Sequence, residues 1–236
     1  MRRFFAEKVE DHLAYITGEE ARHAASVIRL CAGDRLIAIH GGMEYTCVVQ
    51  DCGGGVVTAR VEEASACKGD PKKTVTLYVS YLKSDKMELV AQKATELGAS
   101  AICPFISQNS VKRPKDAKKA RDRLAKICEG AVKQCGRSSA PEVWEPLTFQ
   151  EMLEGLQKHG KAVFAYENAD GDLRSALSGS AENIALIVGC EGGFTADEAK
   201  RIVEAGAVPV SLGARILRGE TAAIALLAVT AYETGC

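Results

Sequence analysis

Two glycine-bearing turns gather the residue types that could bind and activate a small ligand in this 236-residue chain. The first, Val188 to Phe194 (VGCEGGF), leaves an apolar run and enters a helix-capping sequence, Thr195 to Glu198. Glycines let backbone N–H and C=O groups approach a ligand closely. In open parallel sheets, ligands bind beyond the carboxyl ends of the strands, where this turn would lie. Its spacing is neither G-x-G-x-x-G nor G-x-x-x-x-G-K-[ST], so dinucleotide and P-loop readings lose their main support. A tight strand-to-helix connection without any ligand fits one such turn equally well. The second turn, Ser211 to Thr221 (SLGARILRGET), carries Gly213, Gly219, Arg215, Arg218 and Glu220. Either arginine could hold a phosphate or carboxylate through paired hydrogen bonds. The plainer use is surface pairing with Glu220 and Glu198, and Glu220 also suits the positive end of the helix that follows. Two such loops from neighbouring strands make a pocket more credible than either alone.

A third feature is electrostatic. From Lys112 to Arg137 there are ten basic residues, Lys112, Arg113, Lys115, Lys118, Lys119, Arg121, Arg123, Lys126, Lys133 and Arg137, against three acids, Asp116, Asp122 and Glu129. The whole chain carries a net charge of −1 with a pI near 6.5, so this excess is local. Such a block is the footprint expected for a phosphate backbone, and a solvated helix face is the bland alternative. Arg2 and Arg3 at the terminus either extend it or only solubilise the chain.

Composition narrows the rest. Hydrophobic residues make up 47% and charged residues 26%, which excludes disordered and collagen-like classes. The nine cysteines contain no C-x-x-C pair, and the four histidines form no zinc-like cluster with them, so neither a metal nor a disulfide framework is expected. The start MRRFFAEKVEDHL has too short an apolar stretch for a signal peptide, and Thr221 to Tyr232 is too short to cross a bilayer. A cytoplasmic chain with reduced thiols and no membrane partner is the expectation.

The elements that must position these residues fall into two classes. Residues 35–40 and 43–50 read as strands joined at Gly41 and Gly42, a hairpin signal, and 56–61 as a third strand after Gly53 to Gly55. A helix over 19–30, ending near Gly33, precedes them. Short strands at this spacing predict a small β-barrel, and Lys68 to Lys73 reads as a linker. Beyond it, strands over 74–81, 101–105, 162–166, 184–188 and 208–212 alternate with helices over 85–97, 116–135, 195–206 and 220–233. Asp85 with Glu88, and Thr195 with Glu198, are expected to open two of these helices. This alternation predicts an α/β domain with a mostly parallel sheet. The all-round apolar last helix reads as buried core in preference to a dimer seam.

The turn from Ile187 to Thr195, followed by Leu212 to Ala222, resembles the two signature motifs of the RsmE family of bacterial methyltransferases, which modify N3 of a uridine in 16S ribosomal RNA. Met1 to Phe5, His23, Val27 to Arg29, Gly33 and Asp34, Lys86 to Glu88, Gln92 to Gly98, Gln134, Gly136 and Arg137 match in order along nearly the whole chain. Cys190 departs from the family's usual proline. The resemblance implies an N-terminal PUA-like β-barrel that binds RNA (residues 1–70) and a C-terminal SPOUT α/β domain with a deep trefoil knot (residues 74–236). It also implies S-adenosylmethionine as cofactor, the small ribosomal subunit or its RNA as partner, and a homodimer. By this likeness Gly189, Glu191, Gly192, Gly193, Leu212, Gly213, Arg215, Ile216 and Leu217 would line the cofactor. Arg218 would stabilise the uridine anion, with Glu220 or Glu191 taking its proton. Arg2, Arg3, Arg29, Lys112, Arg113, Lys118, Lys119 and Arg137 would face RNA. A ribose 2′-O-methyltransferase of the same fold, or an RNA-binding assembly factor without catalysis, remains the alternative.

Overall fold

The computed structural model describes residues 1–179 and 181–235. The chain forms two compact units, Met1–Asp70 with Val132–Ser139, and Pro71–Ala131 with Ala140–Cys236. Cys236 lies outside the described residues, and the other eight cysteines are free thiols.

In the first unit six strands pair in the order β1-β4-β5-β6-β3-β2. They are β1 (Arg2–Phe5), β2 (Lys8–Glu10), β3 (Leu13–Ile16), β4 (Arg35–His40), β5 (Met43–Asp51) and β6 (Val57–Ala66). Gly41 and Gly42 both take positive φ, 58° and 79°, as the two-residue hairpin between β4 and β5 requires. Phe4, Ile16, Leu36, Val49 and Val57 supply the core. β1 to β3 are too short and too mixed with charge to stand out in the sequence. The expected single helix over 19–30 is instead α1 (Gly18–Arg22) followed by a π-helical turn, His23–Ile28. It ends at Arg29, not near Gly33, with Arg29 in the left-handed region at φ 59°. A side chain with a Cβ adopts that conformation at a cost of about 1–2 kcal/mol.

Residues 132–139 join this unit through polar contacts that no linear boundary would reveal. Ser138 donates its N–H to Asp70 at 2.8 Å, and Arg3 donates to the Gly136 carbonyl at 3.0 Å.

The second unit is an all-parallel sheet in the order β10-β8-β7-β12-β11-β13, with β9 beside β8. Its strands are β7 (Thr74–Ser80), β8 (Ala101–Ile106), β9 (Glu142–Val143), β10 (Leu147–Thr148), β11 (Lys161–Ala165), β12 (Asn183–Val188) and β13 (Val208–Val210). The helices are α2 (Ser84–Glu96), α3 (Ala117–Cys135, whose residues from Val132 on belong to the first unit), α4 (Phe149–Leu156), α5 (Leu173–Leu177), α6 (Ala196–Glu204) and α7 (Gly219–Thr234). Near-continuous apolar strands such as β12 (NIALIV) are buried on both faces, as parallel sheets demand. β12 sits between β7 and β11, although β11 precedes it and β7 is far earlier in sequence.

Two helix starts differ in character. α6 carries the expected capping box, with Thr195 Oγ1 accepting from the Glu198 N–H. α2 does not start on Asp85: its N-cap is Lys83, with no side-chain cap bond, and Asp85 sits in the first turn. There its charge favours the helix N-terminus without capping it. α7 buries Ala223, Leu226, Leu227 and Thr230, yet leaves Val229 and Tyr232 exposed. The core reading therefore holds for one face of that helix only.

Candidate active site

All strands of the parallel sheet point the same way, so the loops after β7, β8, β11, β12 and β13 leave its carboxyl edge together. Three of them, after β11, β12 and β13, enclose a cavity of about 560 Å³. That volume falls within the range of small-ligand sites, roughly 300–1,000 Å³. Every residue expected at the cofactor lines it: Gly189, Glu191, Gly192, Gly193, Leu212, Gly213, Arg215, Ile216 and Leu217. The loop after β11 adds Tyr166, Glu167 and Asp170, which the sequence reading missed. Its single glycine, Gly171, follows these residues and makes no glycine-rich turn to advertise the loop. The rule applied to the other two strand ends would have reached it.

The glycine turn is held from several sides. Phe194 is buried against Phe105 and Phe164, with ring centroids 6.2 and 5.1 Å away. A Cβ on Gly189 would come within 3.0 Å of the Phe194 ring. Asn109, from the loop after β8, donates Nδ2 to the Gly192 carbonyl at 2.8 Å. A Cβ on Gly192 would stand 2.9 Å from the Cβ of Asn109. Below the turn, Ser80, Ser107 and Ser110 form a buried hydroxyl cluster that reaches Cys190 Sγ, 3.6 Å from Ser107 Oγ. Cys190 is thus buried and engaged where the resembled family has proline. Glu198 also accepts from the Gln108 N–H at 2.7 Å, so it is spoken for and does not pair with either arginine.

Charge gathers at one side of this cavity. Lys86, one turn into α2, lies 3.2 Å from Glu191 and 3.3 Å from Glu220. The three side chains are largely shielded, with 20%, 25% and 12% of their surface exposed. Burial alone would raise the Glu191 carboxyl, but backbone donors and Lys86 outweigh it and hold it below the ordinary carboxylate value. The Lys86 ammonium is raised in turn, first by Glu191 and then, against partial burial, by Glu220. Arg215 and Arg218 are exposed and make no ion pair among the described residues. The surface pairing with Glu220 and Glu198 therefore does not form, and both guanidiniums stay available. Glu191 and the loop apex line the cavity, whereas Arg218 and Glu220 stand beside it.

These features fit S-adenosylmethionine. Glycines at close-approach positions admit a ligand to the backbone. Leu212, Ile216 and Leu217 offer apolar contact for a base, and Glu167 and Asp170 offer carboxylates for cationic groups. The sequence profile of an RNA methyltransferase domain matches residues 69–231, and that of an RNA methyltransferase PUA domain matches residues 16–62. Ribosomal RNA small subunit methyltransferase E of Bacillus subtilis is 35% identical over 99% of this chain and 97% of its own length. The chain belongs to that family. Its namesake from Mycobacterium tuberculosis is 31% identical, covering 98% of this chain and 91% of the relative. A crystal structure of ribosomal RNA small subunit methyltransferase E from Neisseria gonorrhoeae, bound to S-adenosyl methionine, superposes with a TM-score of 0.84. It is 28% identical and covers 98% of this chain and 97% of that one. The family accounts for the α/β architecture with its PUA-like first unit, and S-adenosylmethionine is the cofactor.

Two expected RNA contacts are withdrawn by the structure. Arg137 is buried, at 4% exposure, so its guanidinium cannot meet a phosphate backbone from the surface. Arg3 is spent internally, on Glu44 at 2.7 Å and on the Gly136 carbonyl. Sequence could not separate them from exposed arginines, because burial of a charge depends on partners distant in the chain. Arg2 and Arg29 in the first unit, and Lys112, Arg113, Lys118 and Lys119 in the second, are exposed. Reversing two of these charges, Lys118→Glu with Lys119→Glu, should weaken RNA binding. It should also flatten the slope of log K against log salt by about 1.4 for single-stranded RNA, two contacts at roughly 0.7 each. Titrations at four salt concentrations with an unchanged slope would remove these lysines from the interface.

Proposed function

We propose that this chain methylates N3 of a uridine in the 16S ribosomal RNA of the small subunit, at the cavity after β11, β12 and β13. The observation that carries the reading is Glu191. Its turn lines the cavity, while its carboxylate shares Lys86 with Glu220, so one short segment belongs to both the ligand site and an acid cluster.

When bound, S-adenosylmethionine supplies an electrophilic methyl group on a sulfonium, which leaves as a neutral thioether. The glycines of the two turns would hold it through backbone groups, with Leu212, Ile216 and Leu217 against its base and Glu167 and Asp170 towards its positive charges. N3 of uridine carries a proton between two carbonyls, so the chain must take that proton and offset charge spread over O2 and O4. Glu220 is the acceptor in this reading. Its Oε2 is shielded from solvent and receives no hydrogen bond among the described residues, the contact with Lys86 being ionic. Lys86 and Glu191 fix its position. Arg218, exposed at the N-cap of α7 and without an ion pair among the described residues, supplies the positive charge that the uracil anion needs. Because N3 lies on the Watson–Crick edge, the target must be unpaired and extruded from any stack.

Residues 1–70 would serve as the PUA-like domain that positions RNA, and residues 74–236 as the catalytic domain. A deep trefoil knot of the SPOUT type belongs to the same reading, with α7, seated behind the glycine turn at Gly219, as its closing element. Exposed Val229 and Tyr232 on α7 give a second copy an apolar strip, in keeping with a homodimer. A cytoplasmic location follows from a ribosomal substrate. Among the described residues no helix is long and apolar enough to cross a membrane, and no group of side chains could hold a metal ion.

The test is transfer of labelled methyl groups to small subunits that lack the modification, followed by digestion to nucleosides. Label in 3-methyluridine is expected. Label in a 2′-O-methyl nucleoside would keep the cofactor site and overturn the N3 assignment. Saturable RNA and cofactor binding without any label would favour a non-catalytic assembly factor.

A further inference from the structure

Apart from the cofactor cavity, the second unit has a groove of about 200 Å³ between α2 and α3, lined by Tyr81, Met87, Glu88, Lys119, Arg123 and Leu124. It is smaller than a pocket that swallows a whole small ligand, and suits one planar ring laid against a wall. Met87 and Leu124 give an apolar floor, since both are buried. Tyr81, half-buried beyond the end of β7, gives an aromatic wall. At the rim Arg123 is paired to Glu88, which fixes the guanidinium, while Lys119 is 87% exposed and only loosely associated with Asp116 at 3.7 Å.

The groove's position relative to the acid cluster follows from α2. Lys86 faces Glu191 and Glu220, and the next two residues, Met87 and Glu88, line the groove. The two sites therefore flank the first turns of one helix, whose diameter is about 10 Å. The basic segment that begins at Lys112 leads into the same rim, so the groove is approached through positive charge.

We propose that this groove holds a single unpaired RNA nucleotide flanking the target, its base against Tyr81, Met87 and Leu124 and its phosphate on Lys119 and Arg123. This rests on the methyltransferase reading and adds a second recognition point to it. Single-stranded RNA is bound by aromatic side chains that stack bases beside cations that track the backbone. The groove combines those two elements. An apolar partner would find two cations at the rim, and an anionic peptide would leave the ring wall unused.

The experiment compares the wild type with Tyr81→Ala and Tyr81→Phe, using small subunits lacking the modification and an oligonucleotide carrying 5-bromouridine on either side of the target. Tyr81→Ala is expected to raise KM for RNA about tenfold, the scale of one lost base stack. Its affinity for S-adenosylmethionine should not change, which also reports that the variant is folded. Tyr81→Phe keeps the ring and should match the wild type, and irradiation should cross-link the flanking base to the peptide containing Tyr81. Wild-type KM in Tyr81→Ala, with cross-links elsewhere, overturns the inference while the methylation reading stands. Dissociation of a dimer in Tyr81→Ala, seen by light scattering without a cross-link at Tyr81, overturns it in favour of a contact between copies. Absence of any methyl transfer by the wild type is the separate failure of the methylation reading, and the cross-link still decides the groove.

Discussion

Gly219→Val should weaken S-adenosylmethionine binding about 10- to 100-fold, although residue 219 carries no functional group. Gly219 opens α7 directly behind the glycine turn, and it is fully buried there. A Cβ at this position would come 2.9 Å from the Gly189 carbonyl oxygen and 3.0 Å from Leu82 Cδ2. The first neighbour is backbone and cannot swing aside. Room for the two extra methyl groups of valine can come only from moving the turn that shapes the cavity. Overpacking of this kind costs about 1–3 kcal/mol. If that strain is released by displacing the turn, affinity falls about 10- to 100-fold. Isothermal titration with the cofactor, alongside thermal melting, would measure both parts. Gly130→Ala is the matched control, because Gly130 is an exposed glycine of α3 with open space around it. There the change should leave binding intact and stabilise the helix by up to about 1 kcal/mol. Undiminished binding by Gly219→Val would mean that the turn is not rigidly seated on α7.

The same close approach explains what the sequence could and could not reveal. The strand-to-helix rhythm from Thr74 onwards is legible because buried parallel strands are apolar runs, and helices end at Gly98, Gly136 and Gly206, each with positive φ. The glycine turns are legible because glycine is demanded where backbone meets backbone or ligand. Lys86 as a site residue is not legible. A lysine one turn into a helix looks like a solvated charge until the fold brings Glu191 and Glu220 to it across more than a hundred residues of sequence. Arg137 is the converse case: it reads as an RNA contact by type and neighbourhood, and it is buried. α4 is legible in principle, since Thr148 and Glu151 make the same capping box as Thr195 and Glu198. β9 and β10 are not, since two-residue strands have no period to detect. Pro104 looks out of place in an interior strand, yet β9 pairs with Ala101 and Ile102 and β10 with Phe105 and Ile106. The proline thus falls in the gap between them, where a missing N–H is tolerated.

Glu220→Gln should lower kcat about 10²- to 10⁴-fold, the usual reach of a positioned proton acceptor, while cofactor affinity and KM for RNA stay near wild type. Glutamine keeps the shape and removes the ability to accept a proton, so a loss confined to kcat would identify an interaction made in the transition state. Full activity in Glu220→Gln would move the acceptor to Glu191. Lys86→Met separates position from charge. A neighbouring cation depresses a carboxyl pKa, as Lys86 does at Glu191. Without Lys86 the Glu191 carboxyl loses that depression and rises towards its ordinary range. Glu191 contributes its charge to the cluster only when deprotonated, so its rise shifts the acid limb of the pH–rate profile to higher pH. The variant should therefore lose activity in acidic buffer where the wild type still works, and recover part of it as pH rises. A uniform loss at every pH would show that Lys86 holds the carboxylates in place but does not set their charge. That result would leave Arg218 as the cation that matters for the uracil anion, and Arg218→Gln should then reproduce the loss in kcat.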